Sequence, residues 1–434
     1  ADSGTEQGFM FAMKGLFGFY FGKYSVNPYW DIINTYNNIE NRDIWEYKLN
    51  LTPAEEAQFV NHLYELRGAQ IQYFFLIKNC SYMILELMEA VRPELDLTAD
   101  YNYYAIPLDT LKTIKSVPGL IGEVNYRPAR YTKIKAELAN MSDGQYAAFL
   151  AGVNDSVYDM PELDETEQSA VLETLYQYYQ YQYTAHKMEL KEYRKNSFAV
   201  LRRRSQMPVA KEKLISGEDP RLAHDTFELA VNSGINRHQS LTEVKLAPAY
   251  TALTSDNYGM IHGSGIEVLS SYWRYYYQKH KAVLQNFTAL GITSLVPSDR
   301  VFSQVSYMNN LAVERIYNAQ TNKEGYAATA EFGLGKTFAL SDNFWLYGLL
   351  KANVAYGGFI PHNQYVGTTP EIGAFAEMGD IRLHLSAQNT FATTRLARRM
   401  RYNATISYGI TRNLSLDFTY KASHYQHAGG FFIK

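Results

Sequence analysis

Beyond Pro220 the chain keeps a period of two. Leu383, Leu385 and Ala387 alternate with Arg382, His384, Ser386 and Gln388; Tyr402, Ala404, Ile406 and Tyr408 alternate with Arg401, Asn403, Thr405 and Ser407. Leu414, Leu416, Phe418 and Tyr420 repeat the pattern against Asn413, Ser415, Asp417 and Thr419. Alternation of this kind belongs to strands with one apolar and one polar face. Short turns at 340–343, 379–380 and 411–413 and a longer polar stretch at 357–369 separate the segments. Tight turns on one side and long loops on the other are the layout of an outer-membrane barrel. We expect a transmembrane antiparallel β-barrel of roughly 10 to 12 strands, even in number.

The alternative is a soluble sandwich or lipocalin-like barrel, which would turn the polar face outward. Segment length argues against it, because 324–340 and 344–356 suit a tilted crossing of hydrocarbon better than a sandwich. Composition agrees with the membrane reading. Aromatics reach 15%, with 37 Tyr and 22 Phe, while mean hydropathy is only −0.31 and no apolar run is long enough for a spanning helix. Aromatic girdles around a polar lumen produce that combination.

At 434 residues, more than one domain is expected. We divide the chain into an N-terminal domain at 1–134, a helical connector at 135–222 and the barrel at 223–434. A net charge of −3 and a pI near 6.4 give no bulk attraction for nucleic acid. No basic start and apolar core of a signal peptide follow Ala1. With a single cysteine, Cys80, no intrachain disulfide framework is available.

The N-terminal domain reads as α+β. Residues 9–13 are apolar, and Gly15, Gly18 and Gly22 punctuate an aromatic loop. Residues 42–51 (RDIWEYKLNL) alternate as a half-buried strand. Thr52, Pro53, Glu55 and Glu56 mark a helix start, with Gly68 closing it. Residues 69–77 (AQIQYFFLI) read as a buried strand, and 80–91 as a second helix stopped by Pro93. Residues 165–204 contain no Gly or Pro and five closely spaced tyrosines, from Tyr176 to Tyr183. They fit a helix lying in a membrane interface or, favoured by their Glu, Gln and Lys content, a solvated helical hairpin between domains.

The sharpest local feature is Asn79-Cys80 at a strand-to-helix turn. A thiol at a helix N-terminus faces free N–H groups and the positive end of the macrodipole, which favour the nucleophilic thiolate. Cysteines also start helices for packing reasons, so the spacing leaves both readings open. His62 is the nearest histidine before it, on the preceding helix, where a structural role is the commoner one. The other histidines scatter without paired ligand spacing, no phosphate-binding glycine loop occurs, and no cofactor or metal is expected. Asp43, Glu46 and Glu65 would orient a histidine or, more commonly, solvate a surface. Arg127, Arg130 and Lys133 would meet lipid headgroups or serve as ordinary surface charge.

The run Tyr73-Phe74-Phe75-Leu76-Ile77-Lys78-Asn79-Cys80-Ser81-Tyr82 sits among several ordered motifs: 11–20 (FAMKGLFGFY), 42–51, 62–66 (HLYEL) and 107–110 (PLDT). Together they resemble the Lnb N-terminal periplasmic domain family over about 1–130. That family is similar to permuted papain-like enzymes of the NlpC type, in which an Asn-Cys pair opens the helix carrying the nucleophile. The resemblance implies that Cys80 is the nucleophile with Asn79 beside it. It also implies a following outer-membrane barrel, a lipid acyl donor and a lipoprotein amine as acceptor. The family's Gly-His motif would fall before Ala1, so the expected papain-like domain is truncated at its N-terminus. Two further functions stay open: a cysteine amidase or peptidase acting on cell-wall peptides, and a structural or transport barrel with a periplasmic plug. Oligomeric state is not legible.

Overall fold

The computed structural model describes residues 14–15, 18–208, 214–236, 239–318, 323–358, 360–393, 399–423 and 426–433. The apolar run at 9–13 lies outside them. The chain divides into two units, 1–105 with 110–219, and 106–109 with 220–434.

The first unit contains β1 (Tyr20–Gly22), α1 (Tyr29–Ile33), β2 (Ile44–Leu49), α2 (Pro53–Glu65), β3 (Ile71–Tyr73), α3 (Cys80–Glu89), α4 (Pro107–Ser116) and β4 (Ile121–Arg127). α5 (Arg130–Ala139), α6 (Asp143–Asp155), α7 (Glu165–Thr184) and α8 (Leu190–Arg204) follow. Two small antiparallel sheets form, β1 with β3 and β2 with β4. Their core is apolar: Leu85 and Met88 of α3 meet Leu97, Tyr101, Ala105 and Leu120, with Leu49 and Ile114 packed against them. Leu85 and Leu120 are wholly buried, and each such side chain contributes about 1.5–3 kcal/mol over an exposed one.

Thr52 caps α2 in a reciprocal box with Glu55, and Pro53 takes the first helical position. The Glu55 carboxylate also binds Arg92, whose Nη2 lies 2.8 Å from Oε2. The expected strand at 69–77 is shorter, because after Tyr73 the chain bends: the Phe74 N–H reaches Lys78 O and the Phe75 N–H reaches Gly15 O. The tyrosine-rich segment is a helical hairpin, α7 and α8, but not a solvated one. Val171, Leu172, Leu175, Tyr178, Tyr179 and Tyr181 of α7 are buried, and Tyr179 donates to Gly152 O at 2.7 Å.

The second unit is built from β5 (Glu228–Asn236), β6 (Gln239–Ala247), β7 (Ala249–Thr251), β8 (Ser264–Tyr276), β9 (Lys281–Ser294), β10 (Pro297–Ser298), β11 (Ser306–Asn318) and β12 (Lys323–Ser341). It continues with β13 (Phe344–Tyr356), β14 (Gln364–Met378), β15 (Ile381–Ala392), β16 (Arg399–Thr411), β17 (Leu414–Ser423) and β18 (Gln426–Ile433). Setting aside the short β7 and β10, each strand pairs antiparallel with the next, and β18 closes on β5 through pairs running from Ala428↔Asn236 to Ile433↔Val231. Among the described residues this is a closed ring of twelve strands, at the upper end of the expected range.

Burial runs inside out. Along β13, Leu346, Leu350, Val354 and Tyr356 are exposed whereas Tyr347, Lys351 and Asn353 are buried. Apolar side chains therefore face outward and polar ones line the interior, opposite to a soluble sandwich. The interior charges are paired: Lys351 Nζ stands 2.8 Å from Glu371 Oε2 and 2.7 Å from Gln388 Oε1, and Arg274 Nε 2.7 Å from Glu243 Oε1. Such pairing offsets the cost of taking charge out of bulk water. One close approach requires glycine: the Tyr347 ring lies over Gly373, where a Cβ would stand 2.3 Å from it. No helix among the described residues is long and apolar enough to cross a membrane.

The loop layout differs from the expectation. The polar stretch at 357–369 is loop only as far as Asn363; from Gln364 it belongs to β14, whose Thr369 and Glu371 are polar because they face the interior. The two longest connections, 252–263 and 295–305, lie instead at the end carrying the tight turns at 342–343, 379–380 and 412–413.

Two outcomes are expected. Ile372 is exposed in the middle of β14; Ile372→Arg should destabilise the barrel by about 2–4 kcal/mol in urea titrations from vesicles, and Ile372→Leu should not. The Arg92 guanidinium, through its hydrogen bond and then the Thr52 N–H, holds Glu55 down at about 2 from 4.5. A depressed carboxylate stabilises above its unfolded pKa and loses that effect as pH falls through the folded one. The first unit should therefore weaken between about pH 5 and 2 in acid titrations followed by circular dichroism, with a shallower slope in Glu55→Gln.

Candidate active site

Asn79 is the N-cap of α3 and is almost fully buried. Its Oδ1 accepts from the Ser81 and Tyr82 N–H groups at 3.2 and 3.1 Å and from Ser81 Oγ at 2.7 Å. Its Nδ2 donates to Ala105 O at 2.7 Å and Phe75 O at 3.1 Å. One amide thus starts the helix and fixes both the bend before it and the chain leading into α4. The bend rests on the aromatic loop, where a Cβ on Gly15 would meet the Phe75 ring and one on Gly18, at φ +74°, the Phe74 ring.

Cys80 is the first residue of α3, and its thiol is exposed. The cap serves Ser81 and Tyr82, and the Cys80 N–H is turned to the Tyr73 phenol oxygen. Tyr73 stands beside it. Burial raises the Tyr73 phenol above its ordinary range, and the neighbouring Cys80 charge adds to the shift. Six residues lie between the two, and the bend at 74–78 joins them. A tyrosine inside an apolar run gave no signal of this.

Asn79 and Cys80 stand together at the start of α3, whereas His62 faces Glu65 of its own helix, with Nδ1 3.3 Å from Oε2. Asp43 and Glu46 are engaged elsewhere. Asp43 caps α5, accepting from the Ala129 N–H at 2.7 Å and Thr132 Oγ1 at 2.8 Å, and Glu46 pairs with Arg127 at 2.9 Å. Arg130 is turned toward Asn38, and burial lowers its pKa. No cluster of three or more His, Cys, Asp or Glu residues able to hold a metal occurs among the described residues.

Fold and site define an outer-membrane β-barrel protein that carries a periplasmic domain bearing an exposed thiol. Residues 1–117 match the family described as the Lnb N-terminal periplasmic domain. Residues 124–213 and 217–430 match two domains of unknown function, DUF7842 and DUF7840. Among solved structures, the barrel is similar to KdgM porin in complex with disordered oligogalacturonate, at 10% identity over 47% of this chain and 96% of that one, with a TM-score of 0.30. NanC porin matches at 8% identity over 48% and 98%, TM-score 0.31. Omp33 of Acinetobacter baumannii matches at 11% over 49% and 97%, TM-score 0.25. No curated protein matches the chain.

Asn79→Ala should cost at least about 1 kcal/mol for the lost cap alone. The buried carbonyls of Phe75 and Ala105 lose their donor as well, which adds to the loss. Asn79→Asp keeps the cap acceptor but sets carboxylate oxygen against those two carbonyls. It should be at least as destabilising in thermal melts, although aspartate is an equally good cap in isolated helices.

Proposed function

We propose that this protein is an outer-membrane-anchored thiol acyltransferase, with Cys80 carrying an acyl group from a lipid to the N-terminal amine of a lipoprotein. The observation that carries the reading is the exposed Cys80 thiol on the first turn of a helix whose cap is locked in place by Asn79. The domain's match to the Lnb family supports it, as does the kinship of that family with permuted papain-like thiol enzymes. The surroundings also suit a lipid. Ile77 and Ile84 are exposed, and Ile84 lies one turn after Cys80 on the same helix face.

In the first step the Cys80 thiolate attacks the ester carbonyl of the donor. A C–S bond forms, the ester C–O bond breaks, and the lysolipid leaves as an alcohol after taking a proton. In the second, the acceptor amine attacks the thioester. A C–N bond forms, the C–S bond breaks, the amine proton is released and the thiolate returns. We assign the nucleophile to Cys80 and its positioning to Asn79. His62, turned to Glu65, is given no part in either step. The barrel keeps the domain at the membrane that supplies donor and acceptor, so outer-membrane lipid and lipoproteins are the proposed partners.

Incubation with phospholipid vesicles should give an acyl adduct on Cys80, detected by mass spectrometry and released by hydroxylamine. Cys80→Ala should abolish the adduct and lower lipoprotein acylation by about three orders of magnitude or more. Acylation that survives this substitution would remove the thiol from the reaction. Peptide release from cell-wall fragments without added phospholipid would favour the amidase chemistry instead.

A further inference from the structure

The segment at 252–263 leaves the wall after β7, which pairs with β8, and its contacts lie on the far side of the ring. Counted through the pairing order, β15 is the sixth strand from β8 in either direction and is therefore diametrically opposite. Asp256 Oδ2 lies 3.2 Å from Nη2 of Arg382, the second residue of β15. Asn257 Nδ2 lies 2.8 Å from Glu377 Oε2 at the end of β14. Tyr258 lies under the Arg412 guanidinium, 3.8 Å from the ring centre, in the turn between β16 and β17. A segment that leaves and rejoins the wall at β8 and is held at its middle to the opposite wall has to span the mouth.

The interior beneath it is packed and divided. Leu253 joins Leu295, Met308, Tyr347 and Leu349 in an apolar cluster. The return to β8 is tight: Gly263 has φ +75°, and a Cβ there would stand 2.3 Å from Leu295 O and 2.5 Å from the Trp345 ring. Cavities of about 540 and 250 Å³ adjoin the segment among the described residues. Ala252, Leu253 and Thr254 line the larger one, and Ser255 and Asp256 the smaller. The segment stands between them.

We propose that 252–263 is a plug clasped to the opposite wall by Asp256, Asn257 and Tyr258, which makes the barrel a closed membrane anchor and not a solute channel. The clasp is built to leave the wall intact when opened. Arg382 keeps Glu377 at 3.1 Å after Asp256 is gone, so no cation is stranded.

The test is ion conductance of the full-length protein in planar bilayers, independent of any activity at Cys80. Wild type should show no channel steps. The triple variant Asp256→Ala/Asn257→Ala/Tyr258→Ala should show stepwise conductance, with current at least tenfold above wild type. Heat-shifted mobility in detergent gels verifies that each variant holds a folded barrel. If the triple variant fails to fold, Asp256→Asn alone should give brief openings. Steady wild-type conductance would overturn the proposal, and so would a silent clasp variant whose barrel is intact.

Discussion

Hydrocarbon offers no partner to a backbone N–H or C=O, so a strand can cross it only if both its edges are taken. Every other property of the second unit depends on that requirement. An even number of antiparallel strands, with the first bonded to the last, satisfies it with no edge left over. The seam between β18 and β5 is what turns a curled sheet into a ring. Once the ring exists, alternate side chains must point either to lipid or to the interior. Lys351, Glu371, Arg274 and Glu243 then have to find each other, because bulk water no longer surrounds them.

The periplasmic unit solves a smaller problem by the same economy of polar groups. Asn79 is buried, a costly place for an amide unless all its hydrogen-bonding capacity is used. It is used: two helix N–H groups, one hydroxyl and two carbonyls converge on it. The rigidity of that knot passes to the next residue, which leaves the Cys80 sulfur fixed in direction yet open to solvent. Holding a reactive atom on a locked backbone at the surface is how a site achieves reach without losing geometry.

Local physics was legible in advance wherever it decides structure. Alternation placed the strands, because a two-sided wall cannot be built otherwise; Thr52-Pro53 placed α2 through its cap; and Asn79-Cys80 placed the start of α3. What escaped was set by contacts distant in sequence. The strand ending at Tyr73 was read as too long because Phe74 to Ile77 have strand-forming side chains, yet their backbone groups are claimed by Gly15, Lys78 and Asn79. Polar residues after Gly357 were read as loop because a lumen-facing threonine and a solvated one are identical in composition. Tyr73 reaches Cys80, and Asp256 reaches Arg382, only through the fold.

The inside-out distribution also governs the chain before it folds. Since greasy and wet residues are interleaved along the strands, no stretch has the long continuous hydrophobicity that would arrest a polypeptide in the first bilayer it meets during export. Its affinity for lipid is latent, spread over many strands and gathered into one continuous band only by ring formation. Until then the unfolded chain can travel through water to a second membrane, and the pattern that hides its destination is the same one that fits it there.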